Sequence, residues 1–183
     1  MADLVEASIV VDGANWAWSL SKQDARVNFE KLVDRVQEAA NLKITALTFW
    51  TAYRSQEDLG RRWPFLSYLK DLGWNVNIIP ATLVAQGHWA DKQVDINIAL
   101  DAYEDALAGF GAVIIGSGDG DFAAVFKRFP KGVQGYTLAF RNNISSSLAK
   151  VSHVIYMEDL RVLFKEGRMP SMGSASFDQG WDC

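Results

Sequence analysis

At 183 residues, 49% of them hydrophobic and 22% charged, the chain has the size and balance of one globular domain with a full core. No apolar run approaches the length of a membrane span, and a net charge of −4 argues against a surface that is basic throughout, leaving room only for a local basic rim. The single cysteine, Cys183, excludes an internal disulfide, and Met1–Glu6 lacks the basic start of a secretory signal, so a cytoplasmic protein with no membrane partner is expected.

Ser8–Val11 is a short apolar strand that leaves through a turn at Asp12-Gly13-Ala14-Asn15-Trp16. Phe29, Leu32, Val33 and Val36 recur at helical spacing, with Asn28 placed to cap their helix. Ile44–Trp50, rich in β-branched and aromatic residues, reads as a second strand. Pro64 suits the first turn of a helix that runs to about Leu72 and stops at Gly73. Trp74–Ile79 is a third strand, ended by Pro80. Ala81–Asp91 is a polar connection of unusual length, the pattern of a substrate-side flap. A helix from about Lys92 to Ala108 follows it.

The chain is organised around what comes next. Ala112–Ile115 is a continuous apolar run, the pattern of a strand buried on both faces. Gly116-Ser117-Gly118-Asp119-Gly120-Asp121 follows, and Phe122, Val125, Phe126 and Phe129 then recur at helical spacing. This is strand, tight turn, helix. One aspartate is expected to cap the helix, and a second exceeds what capping requires. Pro130-Lys131-Gly132 breaks that helix, and Gly135–Phe140 is a strand. Ser145–Val151 is a short helix, His153–Tyr156 a last strand and Glu158–Lys165 a final helix. The domain is expected to end at residue 166, with residues 167–183 as a mobile tail lacking periodicity.

Strands alternating with helices predict one doubly wound, mostly parallel α/β sheet with helices on both faces. In such a sheet the first strand neighbours the strand that opens the second half, which places Asp12 beside Asp119 on the carboxyl edge. Asp95, early in the helix before the central strand, is aimed at the same edge. Asp101 lies about 120° away from Asp95 around that helix and reads as structure. Asp12, Asp95, Asp119 and Asp121 then form a carboxylate cluster. Two like charges about 4 Å apart repel by roughly 4 kcal/mol at an effective dielectric near 20, so such a cluster calls for raised pKa values or a cation. Oxygen ligands without a His or Cys motif favour Mg²⁺ or Mn²⁺ over Zn²⁺. Such ions activate water and stabilise in-line displacement at phosphorus. Asn15 either closes its turn or orients a carboxylate, and Ser117 is either a turn residue or a hydrogen-bonding partner of carboxylate or phosphate. Lys92 is either a solvated lysine at the helix start or, beside the acidic groups, a residue that holds substrate.

Val11-Asp12-Gly13-Ala14-Asn15-Trp16, Lys92-Gln93-Val94-Asp95 continuing to Leu100-Asp101, and Gly116-Ser117-Gly118-Asp119-Gly120-Asp121-Phe122 together resemble the NYN domain family, the LabA-type branch of PIN-like nucleases. The resemblance runs from about Ser8 to Leu160. It implies a PIN-like sheet and metal-dependent cleavage of RNA, with Asp12, Asp95, Asp119 and Asp121 as the acidic set and Asn15 and Ser117 supporting it. Two positions depart from the pattern. Gly120 stands where relatives often carry serine, and Trp16 where an aliphatic residue is commoner.

Around these residues, Trp16, Trp18, Tyr53 and Trp89 lie in connections near the predicted edge, where rings stack on unpaired bases, pack into the core or anchor loops. Arg54, Arg61, Arg62, Lys127, Arg128, Lys131 and Arg141 are candidates for a phosphate-contacting rim. The partner expected is RNA with unpaired stretches, and a homodimer is compatible with the chain. The alternative to a nuclease is a PIN-like module that holds RNA or protein without cutting. A haloacid-dehalogenase-type phosphatase is disfavoured because Ala14 stands where its second aspartate belongs. A receiver-type phospho-acceptor lacks its strand-end lysine.

Overall fold

A computed structural model of the chain describes residues 4–83, 89–90 and 92–165. β1 (Val5–Asp12) is wholly buried from Ala7 onward, as a central strand covered on both faces must be. It runs straight into α1 (Gly13–Gln23), where the sequence suggests only a turn. The Asp12 carboxylate accepts the Asn15 amide N–H at 3.0 Å and so starts the helix at the strand's last residue. After β2 (Arg26–Val27), α2 (Phe29–Ala40) is capped by Asn28, whose Oδ1 accepts the Lys31 N–H at 3.1 Å. β3 (Leu42–Tyr53) extends beyond the expected Ile44–Trp50 at both ends.

α3 (Gln56–Asp71) begins well before Pro64, at a Ser55 cap, so the proline sits mid-helix rather than in the first turn. Pro64 has no N–H to give the Gly60 carbonyl, the bond that any other residue at this helix position would make. The helix ends, as expected, before Gly73 at φ +88°. β4 (Asn75–Pro80) includes its proline, at the edge of the sheet. β5 (Thr82–Leu83) pairs antiparallel with β6 (Trp89–Ala90), so the expected long connection carries a small ribbon; the rest of it lies outside the described residues.

α4 (Lys92–Ala108) leads to β7 (Ala112–Gly116), which is buried throughout. The expected helix after it is shorter: a 3-10 turn at Gly120–Phe122 and a single turn, α5 (Ala123–Phe126). Then come β8 (Gln134–Ala139), α6 (Ser146–Ala149) and β9 (His153–Tyr156). The expected final helix does not form. Met157–Leu160 is a 3-10 turn, Arg161 turns left-handed at φ +57°, and β10 (Leu163–Phe164) pairs antiparallel with β2. Asn28 N–H donates to the Val162 carbonyl at 2.8 Å, so long-range pairing overrides the local helical pattern. The expected tail lies outside the described residues.

The main sheet is six-stranded and parallel throughout, in the order β4-β3-β1-β7-β8-β9. Ile9, Val11 and Ile114 face one core with α1, α2 and α3. Val10, Val113 and Ile115 face the other with α4, α5 and α6. No helix among the described residues is long and apolar enough to cross a membrane. The strand order reverses between β1 and β7, the switch point where such sheets open a crevice at their carboxyl edge.

Candidate functional site

At that switch point β1 and β7 pair in register up to Val11 and Gly116, so Asp12 and Ser117 emerge side by side. Asp12 is 5% exposed and Ser117 fully buried. The Ser117 hydroxyl donates to Asp12 Oδ2 at 3.1 Å and accepts the Asp119 N–H at 3.2 Å. One hydroxyl thus ties the carboxylate of the first motif to the backbone of the second. Burial this deep is tolerable for a carboxylate only when it is hydrogen-bonded, and Asp12 takes bonds on both oxygens.

Asn15 fixes the loop from the other side. Its Oδ1 accepts the Gly118 N–H at 3.0 Å and Asn143 Nδ2–H at 2.9 Å. Asn143 Nδ2 also donates to Ser19 Oγ at 2.9 Å, and the Ser19 hydroxyl donates to the Asn15 carbonyl at 3.0 Å. From the loop after β8, Ser145 N–H donates to the Gly118 carbonyl at 2.9 Å. A Cβ added at Gly118 would lie 2.2 Å from the Asn143 carbonyl oxygen, so only glycine fits under that clamp. Asn143, Ser145 and Ser19 escaped the sequence reading. The signal that finds Asn143 is positional: it follows the strand next to β7, on the same carboxyl edge.

Asp119 is half-buried, and its Oδ1 accepts the Asp121 N–H at 2.9 Å, making it the cap of the 3-10 turn. Asp121 is exposed. Asp95 lies half-buried in the first turn of α4. That helix runs back from the carboxyl edge to the start of β7, so its first turn stands at the same edge. Among the described residues no three His, Cys, Asp or Glu side chains converge tightly enough to hold a metal by themselves. The donor set still fits a hard cation. Mg²⁺ is commonly held by one or two carboxylates, with water and substrate phosphate completing its shell. Gly120, where a serine is expected from the resemblance, leaves space that the Ser145 and Ser147 hydroxyls fill: an added Cβ would meet them at 2.6 and 2.7 Å. These hydroxyls lie 2.9 Å apart, and Ser147 donates to the Gly120 carbonyl at 3.3 Å.

The supporting residues divide. Arg54 follows directly on β3 at the carboxyl edge and is exposed. Lys92 opens α4, but its side chain lies outside the described residues, as does that of Trp89. Trp16 is no substrate platform. It is 1% exposed and packs edge-on against Phe140 at 6.0 Å and tilted against Phe29 at 6.2 Å, because α1 turns it into the core. Trp18, 42% exposed with Lys22 Nζ 5.7 Å from its ring, is the open tryptophan of that helix. Arg62 leaves the basic rim as well. It is buried, its Nε donates to Asp58 Oδ1 at 2.7 Å, and its guanidinium reaches the Ala52 carbonyl at 3.1 Å. Lys131 precedes β8 and therefore stands at the amino edge, away from the site. Arg141 stacks over Tyr156 and pairs with Asp159 at 2.5 Å. Asp101 accepts the Trp50 indole N–H at 2.7 Å, a structural role consistent with its position off the Asp95 face.

Further along α4, half-buried Asp105 has its pKa raised, first by burial and then by the charges of Asp101 and Glu104. The Ser8 hydroxyl, buried beneath it, pulls that pKa partly back down.

The family model of the NYN domain matches residues 6–158. Among solved structures, the chain is similar to a protein of unknown function from Vibrio parahaemolyticus, with 20% identity and a TM-score of 0.69. That match covers 90% of this chain and 99% of the other, and at this identity it speaks for the fold alone. No curated protein sequence matches.

Proposed function

The chain belongs to the NYN domain family, in the PIN-like nuclease superfamily, and from that premise we propose that it is a ribonuclease dependent on Mg²⁺ or Mn²⁺. The observation that carries the reading is the Ser117 hydroxyl shared between Asp12 and the Asp119 loop at the switch point. Two carboxylate-bearing motifs held in fixed relation at a crevice mouth support a phosphodiester site; two independent helix caps would need no such link. Asp12 and Asp119, with Asp95 and Asp121 from the same edge, would hold the ion. When bound, it supplies Lewis-acid stabilisation and an activated water.

The chain's own residues do the remaining work. Ser117 and the Asn15 N–H spend both Asp12 oxygens on fixed donors, so the carboxylate cannot rotate away from the crevice. Asn15 and Asn143 hold the Gly118 backbone, which sets where Asp119 stands. Arg54 at the edge and Trp18 on α1 offer a cation and an open ring to unpaired RNA. Lys92, from the start of α4, offers a second cation to the phosphate.

Cleavage of end-labelled single-stranded RNA tests this, with Mn²⁺, Mg²⁺ or EDTA and with Asp119→Asn purified identically. Metal-dependent cutting that vanishes in the variant is the expected result. Equal cutting by both proteins would mean a contaminant and would remove Asp119 from the site. A second reading, a PIN-like module that binds RNA or protein without cutting, is favoured by the lack of a convergent carboxylate triad among the described residues. RNA binding indifferent to EDTA, with no cutting under any condition, selects it.

A further inference from the structure

We infer that the outer face of α4 is the seam of an antiparallel homodimer. Ile96 is 58% exposed, Leu100 51% and Leu107 61%, and Tyr103 between them is half-buried. These four are spaced four, three and four residues apart, an apolar stripe of coiled-coil period on a helix whose opposite face already packs on the sheet through Val94, Ile98, Ala102 and Ala106. Large side chains left open in a row, with no charge inside the row, are the mark of a surface that meets another.

The spacing reads the same in both directions, so two antiparallel copies seat Ile96 against the partner's Leu107 and Leu100 against the partner's Tyr103. This self-complementarity is what a two-fold interface requires. Charge selects the direction. Each copy carries Asp95 at the start of α4, at the same sheet edge as Asp12, Asp119 and Asp121, and a parallel pair would bring two acidic edges together. Antiparallel pairing in this register sets Asp95 opposite the partner's Ala108, so the two acidic edges lie about 20 Å apart along the seam, well beyond the screening length in physiological salt. The same register sets exposed Glu104 against the partner's Asn97, an amide able to donate to it. The dimer adds an assembly to the proposed activity and does not depend on it. It leaves both crevices open, at opposite ends of the seam.

The test reads mass, not cleavage, so it stands or falls separately from the nuclease reading. Sedimentation equilibrium of the full chain over micromolar concentrations is expected to give a reversible dimer. Leu100→Asp is expected to be monomeric with unchanged far-ultraviolet dichroism, since the side chain it replaces is half-exposed. In a Cys183→Ser background, differently tagged Ile96→Cys and Leu107→Cys chains are mixed with a short thiol cross-linker. Ile96-to-Leu107 products are expected to exceed like-with-like products at least tenfold. Four results would each overturn the inference: a monomer at every concentration, a dimer that survives Leu100→Asp, a predominance of like-with-like cross-links, or a monomer that dimerises only once residues 166–183 are removed.

Discussion

The Ser117 hydroxyl donates to Asp12 Oδ2 at 3.1 Å across a sequence separation of 105 residues. It joins the ends of two neighbouring parallel strands and is itself fully buried. Replacing it with alanine leaves both carboxylates in place and removes the hydroxyl that orients Asp12 and accepts the Asp119 N–H. Ser117→Ala is therefore expected to lower RNA cleavage by about 10–100-fold, the usual effect of losing a residue that positions a metal ligand. It should also cost about 1–3 kcal/mol of stability, because Asp12 keeps its burial and loses a donor. Raising the Mn²⁺ concentration should recover part of the activity, whereas loss of activity with no response to metal would count against the positioning role.

Two glycines of the same loop are expected to behave differently. At Gly118 the obstacle to a side chain is the Asn143 backbone carbonyl, 2.2 Å from an added Cβ, and backbone cannot step aside. At Gly120 the obstacles are the Ser145 and Ser147 hydroxyls, at 2.6 and 2.7 Å, which can rotate. Gly118→Ala should cost about 3 kcal/mol or more and Gly120→Ala about 1 kcal/mol, the two ends of the overpacking range. Urea denaturation of both variants checks the order, and equal costs would show that the loop shifts freely.

Arg54 and Arg62 are near in sequence and opposite in fate. Arg62 is buried on Asp58, so Arg62→Ala leaves a buried carboxylate without its partner and should destabilise the fold by about 3–5 kcal/mol. Arg54 has an exposed side chain, so Arg54→Ala should leave stability within about 0.5 kcal/mol. In fluorescence anisotropy with single-stranded RNA at low salt, Arg54→Ala should weaken binding and flatten its salt dependence. Arg62→Ala, where still folded, should bind normally.

Asp105 sets a pH dependence that has nothing to do with the crevice. Its pKa is raised in the folded chain, chiefly by burial. The folded state therefore holds the proton more tightly than the unfolded chain, and the associated stability, complete below the unfolded carboxylate pKa, is lost as pH rises through the folded value. Asp105→Asn, which cannot ionise, is expected to melt higher than the unmodified protein at neutral pH. The difference should shrink to nothing as pH falls below the ordinary carboxylate range. Thermal melts from pH 3 to pH 8 check the sign; a variant that melts lower at neutral pH would show that the carboxylate is stabilised where it stands.

Much of this architecture is written locally. The apolar run Ala112–Ile115, the glycine-rich turn behind it and the helical spacing of Phe29, Leu32 and Val36 each follow from short-range sterics and periodicity, which a single segment carries by itself. From those alone the alternating order, the parallel sheet and the expectation that the Asp12 and Asp119 motifs share one edge are legible. What the tertiary structure decided are relations between segments far apart in the chain. Trp16 has the sequence context of a loop ring and lies in the core, because α1 begins one residue after β1 ends. Residues 158–165 have a helical pattern, yet Leu163 and Phe164 pair with β2, since an unpaired strand edge gains more from a partner than a short helix gains from its own bonds. Asn143 carries no local signature at all; only the strand order brings it over Gly118. Local sterics select the elements, while burial and hydrogen-bond satisfaction, which depend on every other segment at once, select which side chains meet.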